Sequence, residues 1–204
     1  GLLTLREMQP FTLFATAGIH EVLAENPIFS ALNPSVVTRA NVALEAPAEI
    51  VPGLTATLFA VPGKVPLYME GETVETDLVG EQTVGVELKT DTETVFYIPG
   101  CALLNDALRQ RLRGASLIFF DGTLWRDDEM VRAGLGQKTG KRMGHMSMSG
   151  EDGSIAAFAG LEIGRKVFVH MNNTNPVLRP GSEERRAAED AGWIIGQDGM
   201  EVTA

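Results

Sequence analysis

A chain of 204 residues with 44% hydrophobic content is long enough for one domain, residues 1–204, with a sizeable buried core. Its formal charge of −10 argues against general binding to nucleic acid or to an anionic membrane surface, since both are polyanions. No apolar run reaches the roughly 18 residues of a membrane span, no secretory leader pattern is read, and the single Cys101 leaves no intrachain disulfide or cysteine-based zinc cluster within the chain, which fits a cytoplasmic location.

The chain begins Gly1-Leu2-Leu3 without a Met, as a processed chain or a fragment would. Gly1 to Met8 reads as the tail of an amphipathic helix that Gln9-Pro10 ends. Phe11 to Ala15 is a short strand-forming run, and Thr16 is a candidate N-cap for a helix from Ala17 to about Leu32, with a break at Asn26-Pro27. From Val36 to Val61 short strands alternate with Pro and Gly punctuation. Lys64 to Gly80 is acidic and loop-like. Thr83 to Leu88 and Val95 to Ile98 read as a β-hairpin.

After Pro99-Gly100 come a helix from Asn105 to Leu112, a buried strand from Ser116 to Phe120, and a short polar helix from Arg126 to Arg132. Gly134 to Gly144 is a Gly-rich basic loop. Further on, a helix starts at Glu151 or Ser154, Lys166 to Val169 is a strand, Ser182 to Ala191 a helix, and Trp193 to Ile195 a terminal strand. Hairpin-ordered strands followed by strand–helix alternation predict an α/β (α+β) protein, a sheet sandwich flanked by helices.

Two apolar runs end in groups that carry chemistry. Leu117 to Phe120 delivers Asp121, a candidate metal ligand or a carboxylate orienting one; an Asx turn with Gly122 is the structural alternative. Lys166 to Val169 delivers His170, whose neutral imidazole suits a divalent transition metal, while an Asn-rich turn offers it a purely structural role. His145, in Gly144-His145-Met146-Ser147, is a third candidate, and a solvent-exposed loop histidine is its alternative. Lys138, Lys141 and Arg142 lie among glycines without the full phosphate-loop pattern, so a carboxylate-binding patch is as good a reading as a phosphate site. A two-His, one-carboxylate set holds non-haem iron in some proteins, and zinc with a hydrolytic water is equally compatible.

The order Phe119-Phe120-Asp121-Gly122-Thr123-Leu124, then Gly144-His145-Met146-Ser147, an Ala-rich helix and Val167-Phe168-Val169-His170 resembles the second half of the metallo-β-lactamase superfamily. More narrowly, the stretches Phe119 to Met130, Gly134 to Gly150 and Val167 to Leu178 resemble the PqqB family of pyrroloquinoline quinone (PQQ) biosynthesis. The resemblance implies a metallo-β-lactamase-like αββα sandwich, incomplete here because about a third of the family pattern precedes Gly1. That preceding part is expected to carry a Cys-rich zinc segment and an Asp-x-x-x-Asp-His metal-binding segment. His170 matches the superfamily's final metal-ligand histidine, Asp121 its bridging aspartate, and His145 the position that contacts substrate.

The resemblance also implies an Fe(II)-dependent hydroxylation of the tyrosine ring in a Glu-Tyr-derived precursor of PQQ, with Asp121 and His145 in catalysis. Asn172, Asn173, Lys138, Lys141 and Arg142 would bind that small-molecule or dipeptide substrate. A carrier of PQQ and a zinc-dependent hydrolase are the alternatives. A homodimer is compatible, and this chain by itself is expected to be inactive.

Overall fold

The computed structural model describes residues 2–5, 9–65 and 75–203, so the readings of residues 6–8 and of much of the acidic loop lie outside the described residues. Two compact units divide the chain at residues 46 and 47. In the first, β1 (Phe11–Ala15) and β2 (Val37–Asn41) pair in parallel around α1 (Ala17–Glu25). The Thr16 hydroxyl accepts from the Ile19 amide as the N-cap. The helix predicted to run to about Leu32 stops at Glu25. Asn26 is extended and caps a separate 3-10 turn, Pro27–Ala31, so the break expected at Asn26-Pro27 is complete. His20 lies on α1, with Nε2 3.1 Å from the Ala40 carbonyl oxygen.

The second unit holds a seven-stranded sheet in sequence order: β3 (Ala48–Val51), β4 (Leu54–Ala60), β5 (Val84–Lys89), β6 (Thr94–Ile98), β7 (Leu117–Asp121), β8 (Arg165–Val169) and β9 (Trp193–Ile195). The first four strands pair antiparallel, as the hairpin pattern predicts, and β6 through β9 pair in parallel. The helices α2 (Asp106–Leu112), α3 (Glu129–Arg132), α4 (Gly140–Met143), α5 (Ser154–Ala157) and α6 (Glu183–Asp190) lie in the connections. Two predicted boundaries shift. The polar helix expected over Arg126–Arg132 is a single turn, and the basic glycine loop contains α4, capped by the Thr139 hydroxyl accepting from the Arg142 amide. None of the described helices is long and apolar enough to cross a membrane.

Phe59, Phe96, Ile118, Phe120, Phe168 and Trp193 form one continuous core with Leu108, Leu112, Phe158 and Ala188 from the helical segments. Trp193 stacks on Phe168 at 3.8 Å between ring centroids and meets Phe158 edge-on at 5.2 Å. Because side chains alternate along a strand, placing Phe120 in this core turns Asp121 to the opposite side at the end of β7. Parallel β6, β7 and β8 also bring their carboxyl-end loops to one edge of the sheet, where open α/β sheets place their ligands. Trp193→Ala removes the ring that joins three aromatic contacts, to Phe120, Phe158 and Phe168, and should cost about 3–5 kcal/mol by chemical denaturation; a loss below about 1 kcal/mol would contradict this packing account.

Candidate metal centre

Asp121, His145 and His170 converge at that edge. Each offers one ligand atom, and these atoms all lie within 4.8 Å of one another. Asp121 is fully buried, while the side chains of His145 and His170 are 19% and 54% exposed. The imidazoles stack with centroids 5.4 Å apart at 26°. One oxygen and two nitrogen donors form a set that suits zinc or ferrous iron. The half-exposed His170 is the member most open to an incoming ion.

Local geometry explains the convergence. Gly122 follows Asp121 where β7 and β8 come close: a Cβ there would lie 3.0 Å from Phe168 Cβ and 3.2 Å from the Val169 carbonyl oxygen. Gly144 ends α4 in the left-handed region, with φ +82°, and turns the chain into His145. His170 itself has φ +57°, unusual for a residue with a Cβ, and such strain is held where the surroundings fix it. Buried Asn175 supports the same turn: its amide donates to the Gly122 carbonyl at 2.8 Å, and its Oδ1 accepts from the Val177 amide at 3.1 Å.

Thr123 joins the three candidates. Its Oγ1 lies 2.6 Å from Asp121 Oδ1, 2.8 Å from His170 Nδ1 and 3.1 Å from His145 Nδ1. Asp121 Oδ2 is 2.6 Å from His145 Nδ1 and accepts from the Cys101 amide at 3.0 Å. The sequence pattern did not single out Thr123, since Asp-Gly-Thr signals only a local turn. The Thr123 amide donates to Asp121 Oδ1 at 3.1 Å, so the Asx turn weighed against a functional Asp121 is itself part of the site. Cys101 contributes through its backbone. Its buried thiol donates to the Leu103 carbonyl, and its pKa is pushed far above the ordinary range by burial and by the Asp121 charge.

The expected substrate residues fall in different surroundings. The Asn172 amide donates to Thr174 Oγ1 at 2.7 Å, and Thr174 Oγ1 meets Glu129 Oε1 at 2.5 Å. Glu129 Oε2 also accepts from the Trp125 amide at 2.7 Å, tying the loop after β7 to the loop after β8. Asn173 and Lys138 are exposed. Lys141 and Arg142 sit on α4 just before His145, with Lys141 Nζ 3.9 Å from Asp152 Oδ2. Lys141 also borders a cavity of about 1340 Å³, together with Arg109, Trp125, Arg126 and Ser147.

Burial pushes the Asp121 carboxyl up, but its hydrogen bond with His145, the nearby His170 imidazole and the hydrogen bond from Thr123 outweigh it and hold the pKa below its ordinary 3.8. Asp121, 3.8 Å from His170 Nδ1, raises the His170 pKa above 6.5 against the opposing effect of burial.

Comparison with known proteins bears on the family and the fold. Residues 1–171 match the family described as beta-lactamase superfamily domain. The chain is 58% identical over 202 residues to coenzyme PQQ synthesis protein B of Ruegeria pomeroyi, covering 99% of this chain and 68% of the relative. Identity to the protein of the same name from Xanthomonas oryzae pv. oryzae is 54% over 204 residues, with 99% and 68% covered. The crystal structure of Zn2+-bound PqqB from Methylobacterium extorquens superposes with a TM-score of 0.96 at 50% identity, covering 100% of this chain and 68% of that one.

These pKa shifts set a pH dependence for the metal-free protein. Asp121 contributes stability above its unfolded value of 3.8, and this is lost as pH falls through the lowered folded value. His170 contributes below 6.5, and this is lost as pH rises through the raised folded value. The pair therefore stabilises most between 3.8 and 6.5. Denaturation midpoints followed against pH should decline on the alkaline side in wild type and flatten in His170→Gln; identical alkaline slopes would contradict the pairing.

Proposed function

Because this chain belongs to the metallo-β-lactamase superfamily and, within it, to the coenzyme PQQ synthesis protein B family, we propose that it acts in PQQ biosynthesis as part of an iron-dependent oxygenase that hydroxylates the tyrosine ring of a Glu-Tyr-derived precursor. The observation that carries this reading is the cluster of Asp121, His145 and His170, with His170 the most exposed of the three. His170 supplies an imidazole to the metal, and Asp121 is the carboxylate that anchors the site. Of the three clustered residues His170 is the one assigned to the metal, and its further donors are assigned to the part of the relatives' length outside the matched 68%. Bound Fe(II) supplies the O2 activation that hydroxylation of a phenol ring requires.

The chain's own residues bind and orient the substrate. With Nδ1 of His145 held by Asp121, its Nε2 is left to hydrogen-bond the phenol and to take or return its proton. Asn173 offers an exposed amide, while Asn172 holds the shape of the turn. Lys138, Lys141 and Arg142 pair with the carboxylates of a Glu-Tyr unit. Hydroxylation with one oxygen atom of O2 sends the other to water and consumes two electrons and two protons, so the reaction draws on an external two-electron reductant. A zinc-dependent hydrolase is the second reading, favoured by the zinc-bound relative.

Protein expressed at the full length of its relatives, reconstituted anaerobically with Fe(II) and then given reductant, Glu-Tyr and isotopically labelled O2, should incorporate the label into the tyrosine ring. No incorporation together with stoichiometric PQQ binding would replace the oxygenase with a carrier. Cleavage of ester or phosphodiester probes by the zinc form without O2 would replace it with a hydrolase. His145→Gln should lower oxygenase turnover by roughly 100-fold with metal content unchanged; wild-type turnover would remove His145 from the chemistry.

A further inference from the structure

Every proton around Asp121 can be assigned. Oδ2 accepts from the Cys101 amide at 3.0 Å and meets His145 Nδ1 at 2.6 Å. Oδ1 accepts from the Thr123 amide at 3.1 Å and meets the Thr123 hydroxyl at 2.6 Å. A carboxylate offers about four lone-pair sites, and these donors occupy all of them. Two are backbone amides, which cannot turn away without moving the chain. Thr123 Oγ1 also lies 3.2 Å from the His170 carbonyl oxygen, but the hydroxyl has a single proton. That proton goes to Asp121, the shortest and charge-assisted contact. The hydroxyl then offers only lone pairs to His170 Nδ1 at 2.8 Å and His145 Nδ1 at 3.1 Å. Both Nδ1 atoms therefore carry hydrogen, and both neutral rings keep their lone pair on Nε2.

We propose that Asp121 and Thr123 form a positioning pair that keeps Nδ1 of His145 and His170 protonated, presents their Nε2 lone pairs to ligands, and leaves Asp121 outside the coordination of the metal. This rests on the reading of the cluster as a metal centre, and it departs from the bridging-ligand role that superfamily resemblance implies for Asp121. The carboxylate acts through the imidazoles, as do the acceptors that orient metal-ligating histidines elsewhere. Its capacity is spent on holding three stretches of chain, after β6, after β7 and after α4, in one arrangement.

Nitrogen-labelled imidazole NMR on the full-length protein tests the assignment in both metal-free and zinc-loaded forms. Both histidines should be protonated at Nδ1 in each form, and a crystal structure of the zinc form should place the Asp121 oxygens beyond the bonding distance of about 2.2 Å. Thr123→Val should lose the Nδ1-protonated signature of His170 and weaken zinc binding by about 10–100-fold, with Thr123→Ser restoring both. An unprotonated Nδ1 in wild type, an Asp121 oxygen bonded to zinc, or unchanged zinc affinity in a folded Thr123→Val protein would each overturn the proposal. Should wild type bind no zinc or iron, the metal-centre reading fails, while the metal-free spectra still decide the tautomers.

Discussion

A carboxylate with no exposed surface cannot remain charged in a protein interior unless donors surround it, since uncompensated burial of an ion costs several kcal/mol. Asp121 meets that demand with groups from separate stretches of the chain: the Cys101 amide after β6, the Thr123 amide and hydroxyl after β7, and the His145 ring after α4. His170, after β8, joins through the same hydroxyl. The need to satisfy one buried charge thus draws three strand-end loops together, and the two imidazoles arrive as members of that network. Loss of the carboxylate would leave two buried amides without their acceptor as well as release His145.

The sheet makes this possible by running β6, β7 and β8 in parallel, so that their loops open at one edge. Its aromatic core anchors the strands: Phe120 precedes Asp121 and Phe168 lies two residues before His170, both fully buried. Register in the core therefore fixes the position of the site to within a residue, because a slip by one would turn Asp121 toward Phe158 and Trp193. The Glu129–Thr174 contact and buried Asn175 then hold the turn that carries His170.

Strands were legible in the sequence where apolar runs met Gly and Pro punctuation, and the β5–β6 hairpin, β7, β8 and β9 all lie where those patterns place them. Short helices were less legible, because they depend on single hydrogen bonds. Asp127 reads as part of a polar helix, yet its Oδ1 accepts from the Lys141 amide and ties the loop to α4. Thr139 caps a turn within a stretch whose glycines read as loop. In the site, Asp121, His145 and His170 were legible as residue types at strand ends and beside a glycine. Thr123 was not, since nothing in its neighbours along the chain announces that His145 and His170, 22 and 47 residues onward, will share its hydroxyl. Cys101 drew attention for its thiol, whereas its contribution is the backbone amide that any residue but proline could supply.

Family membership places the chain among the coenzyme PQQ synthesis B proteins, and the proposed metal centre has Asp121, His145 and His170 as one wall, with His170 the most exposed of the three. The most direct measurement is metal stoichiometry and affinity of the full-length protein, for Fe(II) under anaerobic conditions and for Zn(II), in wild type and His170→Ala. The account predicts near-stoichiometric loading of the wild-type centre and an affinity lower by about 10-fold or more in the variant with its fold intact. Equal loading and affinity in the two proteins would show that the metal is held without His170 and would contradict the assignment on which the site rests.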